Sequence, residues 1–187
     1  MSHFSDVESI QEQLKQPIPA SERARLLRQV GHWYRDMGQF QEALQPLEES
    51  LSLDPSQNSY HTIQDLLPVL SKLGDKSRAK DVMAILLRLD PHNVTVFNDC
   101  FAFGAYWIKR TELLDLFDTL KAERSDDQLV QANCDFYSGN LLIRDGMEAA
   151  KRRYTAAREV FRRVLPRGHY VFRALRLALK RFPRERT

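Results

Sequence analysis

The chain has only two cysteines, Cys100 and Cys134, and their spacing suits neither a disulfide scaffold nor a metal site. Its seven glycines never cluster, which excludes a phosphate-cradling loop. The five histidines (His3, His32, His61, His92 and His169) are scattered, with no pair at ligand spacing on one helix. No nucleophile elbow occurs. No apolar run approaches the ~18 residues that a membrane-spanning helix needs. The opening residues, Met1-Ser2-His3-Phe4-Ser5-Asp6, have neither a basic leader nor an apolar core, so no secretory signal and a cytoplasmic location are expected. Cys100 lies beside Phe101 in an apolar stretch, and Cys134 is read the same way, as a buried structural thiol. Asp126 and Asp127 follow Ser125 where a helix is expected to start, a capping position rather than a metal site. No catalytic residue, metal or cofactor is therefore assigned, and a non-enzymatic role is expected.

What is present is a helical grammar across all 187 residues. Ser5 and Glu8 have capping-box spacing ahead of the stripe Val7, Ile10 and Leu14, and Pro17 and Pro19 end that segment. Ser21 is expected to cap a helix carrying Leu26, Leu27, Val30, Trp33 and Met37, which Gly38 closes. A partner helix runs from Phe40 to Leu53, and Asp54-Pro55 stops it. The grammar then repeats: a helix over 59–73, a turn at Gly74, a helix carrying Ala79, Met83 and Leu86, and a stop at Asp90-Pro91. The two Asp-Pro stops lie 36 residues apart, and each follows its turn glycine at the same distance. Helices joined by turns this short must run antiparallel and share an apolar seam, which stacked pairs bury together. Pro46 and Pro68 fall inside predicted helices and should bend them.

Val30-Gly31, Tyr34, Gly38, Phe40, Ala43, Leu47, Ser50 and Pro55 resemble a tetratricopeptide (TPR) repeat. Leu66, Leu70, Gly74, Ala79, Met83 and Pro91 are similar to a second copy; Leu27 and Ile63 stand where the family opens with tryptophan. Phe97, Cys100, Phe101, Gly104, Leu113, Phe117 and Leu120 resemble a looser third pair. Leu129, Phe136, Leu141, Ala150, Tyr154 and Ala157 resemble a fourth, with a long second helix reaching Leu165. The resemblance implies an all-α, right-handed superhelical solenoid of antiparallel helix pairs. Its expected parts are a short helix and proline linker (1–20), about four pairs (21–57, 58–93, 94–125 and 126–165), and a basic amphipathic capping helix with its tail (166–187). Phe172, Leu175, Leu179 and Phe182 share one face of that last helix, and Arg173, Arg176 and Lys180 another. The residues after it, Arg184 to Thr187, are expected to fray.

TPR arrays hold a protein or peptide segment in a concave groove lined by the first helix of each pair. The resemblance places Arg25, Arg28, His32 and Arg35 there, followed by Gln64, Asn98, Tyr106 and Phe136. Independently, Arg25, Arg28, His32 and Arg35 run i, i+3, i+7, i+10 and share one helix face. Two readings of that strip stand: it grips an acidic ligand, or its arginines pair with acids on the next helix, such as Asp65. Most aromatics of the third pair are expected in the core, with Tyr106 and Phe136 as exposed partner anchors. The net charge of +3 conceals an asymmetry, since the last 44 residues carry +10 and the first 143 carry −7. Arg152, Arg153, Arg162, Arg163, Arg173, Arg176 and Lys180 form a candidate basic surface. The expected function is a protein-binding adaptor or scaffold. The alternative is attachment of the basic region to an anionic membrane or nucleic acid, and self-association is a further option.

Overall fold

Breakers and caps set where each helix starts and stops. The computed structural model describes residues 3–54 and 59–182, and every regular element among them is an α-helix. In chain order these are α1 (His3–Leu14), α2 (Ala20–Asp36), α3 (Phe40–Leu53), α4 (Ser59–Leu73), α5 (Lys76–Leu89), α6 (Val94–Trp107), α7 (Arg110–Glu123), α8 (Gln128–Leu142), α9 (Met147–Val164) and α10 (Val171–Leu179). The chain is all-α, as its periodicity predicts. Helices α1–α5 form one compact unit, which ends at Leu89, and α6–α10 form a second. No described helix is long and apolar enough to cross a membrane.

In the first unit α1 packs on α2, α2 on α3, α3 on α4 and α4 on α5. The seams bury Leu26, Val30, Leu47, Ile63, Leu66, Leu70, Met83 and Leu86. Gly38 and Gly74 take φ of +73° and +76°, the left-handed backbone that glycine adopts without steric cost. At both, the same closure forms: Gln39 N donates to Tyr34 O at 2.9 Å, and Asp75 N donates to Leu70 O at 3.0 Å. Pro46 and Pro68 lie inside α3 and α4, and α5 stops just before Asp90-Pro91. The stop assigned to Pro55 lies outside the described residues.

Three boundaries differ from expectation. Helix α1 starts at His3, so Ser5 sits within the helix and is not its cap; no proline or glycine precedes it to break the helix there. Helix α2 starts at Ala20 rather than after Ser21. Pro19 makes that start, since it needs no hydrogen-bond acceptor and its carbonyl accepts from Arg23 N at 2.9 Å. Helix α10 spans only Val171–Leu179, short of Phe182.

In the second unit α8 packs on α6, α7 and α9, and α10 packs on α9. An aromatic nucleus forms around Tyr137, with Phe97 at 5.6 Å, Phe136 at 5.1 Å, Phe101 at 5.9 Å and Phe117 at 6.2 Å between ring centroids. Phe136 is therefore core: it is 7% exposed and also meets Tyr154 and Phe161, which corrects its assignment as an exposed anchor. Three helical glycines let a following helix come close. A Cβ on Gly31 would stand 2.5 Å from Leu47 Cγ, one on Gly104 2.6 Å from Leu113 Cδ2, and one on Gly139 2.8 Å from Tyr154 Cε1. The fully buried Tyr154 ring cannot swing aside as a leucine tip can. Gly139→Ala should therefore lower stability by about 1–3 kcal/mol through overpacking. Gly168→Ala, with nothing within 4 Å, should be neutral in the same urea denaturation series.

Candidate functional site

Four α2 side chains predicted to share a face do so, but they are not free. Arg25 is held by Glu22 one turn back, with hydrogen bonds of 3.0 Å from Nε and 2.5 Å from Nη2. That hydrogen bond holds the Glu22 carboxyl below its ordinary value and the Arg25 guanidinium above its own. Asp65 on α4 is only 5% exposed, and it gathers the other three. Arg35 Nη1 donates to Asp65 Oδ1, His32 Nδ1 lies 3.0 Å from the same oxygen, and Arg28 Nη1 stands 3.5 Å from Oδ2 as an ion pair without hydrogen-bond geometry. Asp36 adds contacts to Arg35 at 2.6 Å and to His32 at 3.3 Å. The strip pairs with acids on its own and the facing helix, which is the second of the two sequence readings.

The remaining groove candidates divide between the units. Gln64 on α4 is half-buried and donates to the Tyr60 hydroxyl at 2.9 Å. Asn98 on α6 is exposed, and Tyr106 near the end of α6 is 85% exposed. Phe136 is buried, as described above.

The basic residues of the second unit fall into three groups. Arg153 is half-buried rather than a surface cation: it donates to Asp135 at 2.8 Å and to Asp118 at 2.8 and 3.1 Å. Burial works against its charge, but the Asp135 and Asp118 carboxylates prevail and hold its guanidinium above the ordinary value. Asp135, 6% exposed, also accepts from Lys121 Nζ at 2.6 Å. Arg152, Arg163 and Arg173 are exposed and lie outside any ion pair among the described residues. Arg162, Arg176 and Lys180 line a groove of about 1030 Å³ between α9 and α10.

That groove is built by the amphipathic pattern of two helices meeting near one end. Arg158 and Arg162 are one turn apart on α9, and Arg176 and Lys180 have the same spacing at the end of α10. Arg167, from the connecting turn, makes a fifth cation. Leu165, Phe172, Leu175, Leu179 and Phe182 supply the apolar lining, and no acidic side chain contributes. None of the five cations has an acidic partner among the described residues, and Arg158 Nε is buried without a hydrogen-bond partner. Sequence reasoning placed Arg162, Arg176 and Lys180 on a basic surface but missed Arg167 and the apolar lining. The i, i+4, i+7 run of Arg158, Arg162 and Leu165 was the available signal.

The two thiols are buried, Cys100 completely, and burial raises both; Cys134 is pushed up to about 12. A thiol so protonated is a poor nucleophile at neutral pH. Asp127 caps α8 by accepting from Leu129 N and Val130 N, both at 3.1 Å, and also meets His92 at 2.6 Å. Among the described residues, no group of His, Cys, Asp or Glu is placed to hold a metal ion. No protein-family model matches the chain, and no curated protein matches it.

Asp65→Ala should lower stability by about 1–3 kcal/mol, because it removes a buried acceptor of charged hydrogen bonds. Urea denaturation of Asp65→Ala/Arg35→Ala should show a loss smaller than the sum of the single variants. Strict additivity would mean that the Asp65 cluster is not an energetic unit.

Proposed function

We propose that this chain is a non-enzymatic, TPR-like adaptor that acts in the cytoplasm by holding an acidic segment of a partner protein. In this reading the helix pairs α2/α3, α4/α5, α6/α7 and α8/α9 are antiparallel repeats of a right-handed solenoid, and α10 is its capping helix. Support for the repeats comes from the identical closures at Gly38 and Gly74, 36 residues apart, and from the glycine seats at Gly31, Gly104 and Gly139. Support for the ligand comes from one observation: five cations without acidic partners around an apolar groove between α9 and α10. The α2 strip supports it less, since Glu22, Asp36 and Asp65 already compensate its charge.

A second reading is electrostatic attachment to an anionic membrane or nucleic acid. Exposed Arg152, Arg163 and Arg173, which extend the positive surface beyond the groove, favour it.

Affinity capture separates these readings. A nuclease-resistant protein partner should be retained by the wild type and by Arg25→Glu/Arg28→Glu/Arg35→Glu. It should be lost from Arg162→Glu/Arg176→Glu/Lys180→Glu. Capture that vanishes on nuclease treatment and weakens steeply with salt would transfer the function to nucleic acid. Identical capture by every variant would defeat both basic-surface readings.

A further inference from the structure

The adaptor reading leaves the chemistry of the partner open, and the inference drawn now rests on that reading. We infer that the α9–α10 groove takes an acidic amphipathic helix: an apolar stripe flanked on both sides by carboxylates.

The arrangement of charge and apolar surface selects this ligand. Arg158 and Arg162 form one i, i+4 cation pair on α9, while Arg176 and Lys180 form another on α10. Between them lie half-buried Phe172 and Leu179. A helix laid into such a groove reads it through apolar residues at i, i+3 or i+4, and i+7. Its acids one turn apart on each flank would match the two cation pairs, and arginine can grip a carboxylate with two donors. The nine residues of α10 rise about 14 Å, so roughly three turns of ligand helix can run beside it. Arg158 Nε, buried and unpartnered, is a donor that one such carboxylate would satisfy.

Other anionic ligands match less of the groove. A single fatty acid or lysolipid brings one or two charges to five cations. A nucleic acid compensates the cations but offers little apolar surface to the leucine and phenylalanine lining, and Phe182 is too buried to serve as a stacking platform. A bilayer surface presents its anionic headgroups outside its apolar core, whereas here the apolar lining is recessed and half-buried or buried.

The test uses the full chain and a labelled synthetic peptide of about 16 residues. Leucines at helical i, i+3, i+7, i+10 spacing are flanked by glutamates, and binding is read by fluorescence anisotropy near physiological salt. One control peptide replaces the glutamates by lysines; another keeps them and replaces the leucines by glutamines. The acidic amphipathic peptide should bind at least tenfold tighter than either control. Arg162→Glu/Arg176→Glu/Lys180→Glu should lose at least tenfold toward it and gain affinity for the lysine peptide. Leu179→Gln should weaken it severalfold with unchanged circular dichroism.

Equal binding of the glutamine control would overturn the inference in favour of a polyanion site. Stronger binding to phosphatidylserine vesicles or to a single-stranded oligonucleotide than to the peptide would overturn it in favour of those surfaces. The peptide failing while a nuclease-resistant partner is still lost only from the triple variant would sink this ligand class and leave the adaptor reading standing. Loss of both results would remove the adaptor reading as well.

Discussion

Taking a carboxylate out of water is costly unless cations and donors compensate it, and two aspartates of this chain are nearly fully buried. Asp65 draws Arg28, His32 and Arg35 of α2 onto α4, and Asp135 draws Lys121 and Arg153 onto α8. Each cluster ties neighbouring helices together within its own unit. Each also sorts the chain's cations, because a guanidinium held by a buried acid must be released before it can grip anything else. The abundant arginines thus divide into a structural set and an available set, and net charge alone does not reveal the division.

That sorting explains why the α2 strip and the α9–α10 groove differ despite similar sequences. On α2, Arg25, Arg28 and Arg35 face Glu22, Asp65 and Asp36, so an incoming acid would have to displace existing partners. On α9 and α10 the only described acid past Glu148 is Glu159, and it does not line the groove. The cations there are exposed apart from half-buried Arg158. An acidic ligand entering that groove meets mutual repulsion among like charges and relieves it.

Periodicity and punctuation made most helices legible from sequence. Gly38 and Gly74 sit where only a left-handed residue closes the turn, so both helix ends were readable. Helix starts were less so: Ser21 has the right chemistry for a cap, but Pro19, two residues earlier, starts the helix without a side-chain cap. The site was legible only by type. Helical spacing put Arg25, Arg28, His32 and Arg35 on one face, yet whether they are paired depends on Asp65, some 30 residues away on another helix. Phe136 shows the same limit, since its burial comes from Tyr137, Tyr154 and Phe161 on two helices, contacts that no local pattern encodes.

The last helix carries two demands at once, and its nine residues satisfy both because its apolar face is divided. Val171, Leu175 and Ala178 are buried against the rest of the unit, and beyond them Phe182 meets Tyr154 with ring centroids 6.0 Å apart. A helix that only lay on a membrane would not bury Val171 completely. Phe172 and Leu179, one turn to the side, stay half-buried in the groove beside Arg176 and Lys180. A helix that served only as a cap would gain nothing from leaving them partly wet, since each exposed apolar surface forfeits roughly 25 cal/mol per Å². Capping and ligand capture are therefore compatible roles of adjacent faces on α10. The same placement makes the groove depend on the fold, because the buried face fixes how far Arg176 and Lys180 stand from Arg158 and Arg162.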